Sequence, residues 1–115
     1  MIDRDCIFCK IAGGDIPSST VYEDEQFRVL LDLSPATKGH ALILPKQHYA
    51  NIFEIDENVL RDLIVLAKKV ASAMKETLNC DGVNIVQNNG EAAGQTVFHF
   101  HMHIIPRYKD DGQVI

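Results

Sequence analysis

Three histidines recur at every second position in Phe98-His99-Phe100-His101-Met102-His103-Ile104-Ile105, with large apolar residues between them. Such alternation predicts a β-strand, because successive side chains along a strand point to opposite faces. His99, His101 and His103 then share one face, and Phe98, Phe100, Met102 and Ile104 the other. The apolar face can pack on a core; the histidine face must look into something polar. A strand rises about 3.3 Å per residue, which sets alternate residues roughly 7 Å apart and the outer pair roughly 13 Å apart. Two neighbours have the reach to share a metal, but three on one flat strand do not. The spacing therefore predicts a division of labour, each imidazole facing a different partner. The plain alternative is a half-exposed strand with histidines on its wet face. Three in register, with only apolar residues between them, argue against it.

The chain has 115 residues, which predicts one domain over residues 1–115 with a core that needs no disulfides. Its 46% hydrophobic and 23% charged content is that of a folded globular protein rather than a disordered one. The formal net charge of −5 argues against nonspecific nucleic-acid binding, which needs a basic footprint. Local N–H donors and imidazolium can still hold a small anion. Residues 1–6 contain no apolar signal-peptide core, and no apolar run reaches membrane-spanning length. Three cysteines, an odd number, do not make a disulfide framework, and a reducing cytoplasm is the simplest expectation.

Cys6-Ile7-Phe8-Cys9 opens the fold as a short helix, with Asp5 as candidate cap and Gly13-Gly14 as its stop. A close cysteine pair is half of a common zinc site; it is also a redox motif, or two small apolar residues on a buried helix face. Residues 19–23 and 26–32 read as two strands joined by an acidic turn. Asp32 ends the second, as a turn former or as an acceptor for sugar hydroxyls. His40 and His48 flank the apolar run Ala41-Leu42-Ile43-Leu44, a buried strand that Pro45 ends. Asp56 is the expected N-cap of one long helix. Its apolar stripe of Val59, Leu60, Leu63, Ile64, Ala67, Val70, Ala71, Met74 and Leu78 is core. Residues 83–87 read as a further strand. The small, polar loop 88–96 then leads into the histidines. It lacks the Gly-Lys-Ser/Thr of a nucleotide P-loop but offers backbone N–H groups to a phosphate.

His99-Phe100-His101-Met102-His103-Ile104-Ile105 resembles the signature of the histidine triad (HIT) family, His-φ-His-φ-His-φ-φ with φ apolar. Cys6–Ile11, Asp32–Pro35, Gly39–His48 and Gly94–His99 resemble its Hint-like branch, in order. The resemblance implies an α+β fold: a five-stranded antiparallel sheet, one long and one short helix, and a homodimer. It implies hydrolysis or transfer at the α-phosphorus of purine nucleoside phosphoramidates. By residue matching, His101 is the nucleophile, and His103 and His40 lie beside the phosphate. Asn88, Gly94, Gln95 and Thr96 line the phosphate pocket, and Asp32 holds the ribose. Cys6, Cys9, His48 and His99 bind structural Zn²⁺. Diadenosine polyphosphate hydrolysis, and purine-nucleotide binding or scaffolding without turnover, are the competing expectations. Many members add a tryptophan-bearing C-terminal extension beside the leaving group; this sequence has no tryptophan.

Overall fold

The computed structural model describes residues 2–115. Its elements are α1 (Ile7–Ala12), β1 (Thr20–Glu23), β2 (Phe27–Leu31), β3 (Ala41–Pro45), α2 (Glu57–Thr77), β4 (Gly82–Val86), a 3-10 turn (Glu91–Ala93) and β5 (Met102–Arg107). The five strands form one antiparallel sheet in the order β1-β2-β3-β5-β4. This is the α+β arrangement expected from the resemblance.

The apolar run of β3 is continuous because both its faces are covered. Ala41 and Ile43 join Phe27, Val29, Met102 and Ile104 under Leu63, Leu66, Ala67 and Met74 of α2. Leu42 and Leu44 point the other way and pack with Leu30 against Ala12, Phe8 and Ile11 of α1. Each large side chain buried here contributes about 1.5–3 kcal/mol. The two helices thus sandwich the sheet, and His103 is turned toward the α1 side by the same alternation that sends Met102 and Ile104 under α2.

The acidic turn between β1 and β2 is built by Asp24, whose carboxylate accepts from the N–H groups of Gln26 and Phe27, each at 2.8 Å. Asp56 caps α2 as expected, accepting from Asn58 N and Val59 N. Asp5 does not cap α1. Cys6 does, its sulfur accepting from Cys9 N at 3.4 Å, so the first cysteine serves the helix end as well as the cluster described below. Ile64 is 48% exposed, outside the buried stripe expected of it. Leu66 is buried instead, beside Leu63 and Ala67.

The histidine strand is shorter than the alternation predicts. β5 begins at Met102, so His99 and His101 lie in the irregular segment that leads into it. The reason is Pro45. Extending the β3–β5 register past Ile43↔Met102 would set Phe100 against Pro45. Proline has no N–H for the ladder, and its carbonyl is taken by the His99 ring at 2.7 Å. Phe100 instead donates its N–H to Tyr49 O and is fully buried, while Phe98, expected on the apolar face, is 48% exposed.

Gly39 permits the approach to His40. Its φ is +94°, and a Cβ there would come within 2.5 Å of Leu78 Cδ1. The chain beyond Pro106 is clamped rather than loose. Arg107 holds Asp111 through two bonds of 2.9 and 2.8 Å, and Tyr108 OH donates to Lys38 O.

Candidate functional site

The five histidines form two clusters on the α1 side of the sheet, separated by Phe8. The Phe8 ring stands edge-on to His101, with centroids 5.0 Å apart, and to His99 at 6.1 Å. The division of labour expected from strand spacing is therefore realised even though only His103 sits on the strand.

The first cluster contains Cys6, Cys9, His48 and His99. Their ligand atoms all lie within 4.8 Å of one another. His99 Nδ1 is 3.4 Å from both sulfurs, and His48 Nδ1 is 3.3 Å from Cys9 Sγ. Around a tetrahedral Zn²⁺, with Zn–S near 2.3 Å and Zn–N near 2.0 Å, neighbouring ligand atoms stand roughly 3.5 Å apart. The donor set and spacing fit that ion. The protein also fixes the ring nitrogen that would bind. His99 Nε2 lies 2.7 Å from Pro45 O, and a carbonyl only accepts, so Nε2 carries the proton and Nδ1 presents its lone pair to the sulfurs. His99 is fully buried, and burial first of all pulls its pKa down to about 4, which keeps it neutral. Burial pushes the Cys9 thiol up, an environment that a thiolate tolerates only with a cation beside it.

The second cluster contains His101, His103, His40 and Asp32. His101 Nδ1 lies 2.7 Å from His99 O. By the same reasoning Nδ1 is the protonated nitrogen, and the lone pair sits on Nε2. Burial holds His101 below its ordinary value, so the ring is neutral near pH 7. A neutral, oriented imidazole with a free Nε2 is a competent nucleophile. The His103 ring is 5.2 Å from that of His101, and His40 Nε2 is 2.9 Å from His103 Nδ1. Asp32 Oδ1 accepts from Ser34 N in the local turn, and Oδ2 is 3.5 Å from His40 Nε2. Asp32 is thus both the turn former and a member of the cluster.

The loop residues divide. The register of β4 on β5 ends at Val86↔His103 and, carried two residues further, runs toward Asn88 opposite His101. Gly94 adopts a left-handed φ of +91°, with the Asn88 side chain near it. Gln95 is buried and its amide is fully engaged: Gly90 N donates to it, and it donates to Ala50 O and Val97 O. Its side chain shapes the loop and has no donor left over for a ligand. Thr96 lines a cavity of about 460 Å³ together with Cys6 and His48. A larger apolar cavity of about 640 Å³ lies between α2 and strands β1 to β3 and contains no histidine.

Sequence reasoning missed Phe8, Ala36, Pro45 and the His99 carbonyl as site components. All but Phe8 act through the backbone, which leaves no residue-type signal; the only signal for Phe8 is its place between the two cysteines.

The neutral imidazoles make stability depend on pH. Burial, then His101 and His40, pulls His103 down to about 4, against the opposing pull of Asp32. An unfolded histidine titrates near 6.5. The unfolded chain therefore binds the proton more tightly, and stability is full above about 6.5 and is lost as pH falls toward about 4. Burial lowers His40 and His101 too, which adds the same sign. Urea midpoints measured from pH 8 to 4 should be flat at first and fall below about 6.5, with a shallower fall in His103→Gln. A midpoint unchanged down to pH 4 would contradict buried neutral rings.

The HIT domain family model matches residues 13–110. The protein hit of Bacillus subtilis is 50% identical over 110 residues, covering 95% of this chain and 76% of that protein. An adenylylsulfatase of Arabidopsis thaliana is 39% identical over 110 residues, covering 96% of this chain but 56% of the longer plant protein. The crystal structure of a zinc-bound histidine triad family protein from Mycobacterium smegmatis superposes with a TM-score of 0.91 at 39% identity, covering 96% of this chain and 81% of that one. The chain belongs to the HIT family.

Proposed function

We propose that this protein is a purine-nucleotide hydrolase that transfers the nucleotidyl group of nucleoside phosphoramidates, of the AMP–amine type, first to His101 and then to water. The observation that carries the reading is the 2.7 Å contact of His101 Nδ1 with the His99 carbonyl, which leaves the Nε2 lone pair free to attack phosphorus. Attack forms the Nε2–P bond and breaks the bond from phosphorus to the amine nitrogen. The amine leaves with that electron pair and takes a proton from solvent. Water then forms a P–O bond, breaks the Nε2–P bond with the electron pair returning to Nε2, and gives up its proton to solvent, which leaves His101 neutral. His103 stands beside the developing phosphoryl charge as a hydrogen-bond donor. Backbone N–H groups around Gly94, with Asn88 and Thr96, complete the phosphate pocket, and Asp32 holds the ribose hydroxyls. Cys6, Cys9, His48 and His99 would hold a Zn²⁺ through two thiolates and two imidazoles; when bound, the ion would supply structural cross-linking.

The 39% identity to an adenylylsulfatase supports a second reading, the same attack with sulfate as the leaving group. Diadenosine polyphosphates would present the same phosphorus with a nucleotide leaving group. Turnover of adenosine 5′-phosphoramidate, adenylyl sulfate and diadenosine tetraphosphate, compared under one condition with His101→Ala as control, separates the three. The phosphoramidate is expected to give the highest kcat/KM. Turnover of none of them, with AMP still bound, would leave nucleotide binding without catalysis as the function.

A homodimer in a reducing cytoplasm is part of the same proposal. β4 leaves one edge of the sheet unpaired, and Ile85 on it, with Ile64 and Val65 on α2, is about half exposed. Light scattering is expected to give twice the chain mass at micromolar concentration, falling to one chain in Ile85→Lys. A monomer mass for the unmodified protein would refute this.

A further inference from the structure

Asp32, His40 and His103 bring three potential metal donors within 4.8 Å of one another. By donor type this is a two-histidine, one-carboxylate set of the kind that holds divalent transition metals. The hydrogen-bond directions point elsewhere. The backbone N–H of Ala36 donates to His40 Nδ1 at 3.0 Å. A backbone amide only donates, so His40 Nδ1 carries no proton. A neutral His40 must then hold its proton on Nε2, and that nitrogen has no lone pair to give a metal. Only its loss as an imidazolate proton would free it.

The same proton decides the state of His103. His40 Nε2 is 2.9 Å from His103 Nδ1, so His103 Nδ1 is the acceptor. His103 is thereby left with its own proton on Nε2. That nitrogen has no hydrogen-bond partner among the described residues, and the side chain is 20% exposed, against 6% for His40. Asp32 Oδ2 stands closer to His40 Nε2, at 3.5 Å, than to His103 Nδ1, at 3.9 Å. Its charge therefore favours keeping the shared proton on His40.

We propose that His40 is a positioning residue rather than a phosphate contact or a metal ligand: locked by the Ala36 amide, it holds His103 in the tautomer that presents Nε2–H to the substrate. His103 then meets a phosphoryl oxygen as a neutral donor of fixed direction. It gives up no proton, since that would leave an imidazolate. Its contribution is electrostatic and grows as charge develops on the oxygen. The catalytic consequence rests on the hydrolase reading above; the tautomer assignment does not.

The test is side-chain ¹⁵N NMR of histidine-labelled, zinc-loaded protein at neutral pH. Nε2-protonated signals are expected for both His40 and His103, with Nδ1 of each unprotonated. An Nδ1-protonated His103 in the unmodified protein would overturn the proposal without any variant having to fold. His40→Gln keeps a side-chain N–H donor, and it should preserve the His103 tautomer and most of kcat. His40→Ala should mix the two tautomers and lower kcat by about ten- to a hundredfold, less than the full loss of an oxyanion donor, with KM little changed. An unaltered His103 tautomer in His40→Ala, or a loss confined to KM, would contradict it. So would a second Zn²⁺ bound per chain that disappears in His40→Ala. If no substrate is turned over, the NMR arm still decides the tautomer, so failure of the hydrolase reading remains distinguishable.

Discussion

His101→Ala is expected to lower kcat for the phosphoramidate by about 10³-fold or more while the protein stays folded and binds AMP, because the variant removes the attacking atom and little else. The ring is buried against Phe8 and hangs from the His99 carbonyl, so its loss leaves a small cavity beside a wet site rather than a hole in the main core. Acid-labile nucleotidyl label on the unmodified protein, absent in the variant, would trap the intermediate. Two in-line displacements should together retain configuration at a chiral phosphorothioate, since two inversions cancel. Net inversion, or near-normal turnover by His101→Ala, would mean that water attacks phosphorus directly.

The alternation of histidine with apolar residues carried the architecture further than its literal strand reading did. It placed His103 and Met102 on opposite faces correctly, and the covered core of Met102 and Ile104 follows from it. It could not show that Pro45 ends the ladder two residues early, because that depends on which residue lies opposite Phe100. The Asp56 cap of α2 is legible locally, since the side chain bonds N–H groups two and three residues on. The cap of α1 is not: Asp5 looks the better residue by type, yet Cys6 has the position, and its sulfur is oriented by the partners of the metal-type cluster.

The candidate site was legible by residue type and not by connection. Cys6, Cys9, His48 and His99 come from three separated segments, and in the sequence only the resemblance groups them. What fixes their function is the set of backbone groups at the back of each ring: Pro45 O for His99, His99 O for His101, the Ala36 amide for His40. Every residue has such groups, so the sequence does not mark these three. Gln95 is the converse case. The resemblance places it in the phosphate pocket, and burial and three backbone partners tie its side chain into the loop's frame. The tail after Pro106 had no periodicity to read, because one arginine, one aspartate and one tyrosine hold it by individual bonds.

Removing the sulfur ligands should have the largest effect on stability. Cys6→Ser with Cys9→Ser is expected to take the zinc content from one ion per chain to none and to cost several kcal/mol, on the order of 10 °C or more in Tm. The reason is connectivity as much as ligand strength. The ion would tie α1 to the loop after β3 and to the segment before β5, three parts of the chain far apart in sequence whose sulfur and imidazole groups already converge here. A second effect should accompany the first. His99 offers its ring to the metal cluster and its carbonyl to His101, so loosening the ring also loosens the group that keeps the His101 lone pair on Nε2. Activity per folded molecule should therefore fall in the double variant, measured below its lowered Tm. Elemental analysis of protein purified without added metal, calorimetry with and without a chelator, and turnover of the same samples read the three quantities separately. Zinc retained by the double variant would place the ion elsewhere. A metal-free chain of unchanged Tm would show that hydrogen bonds among the four side chains suffice to hold the segments together.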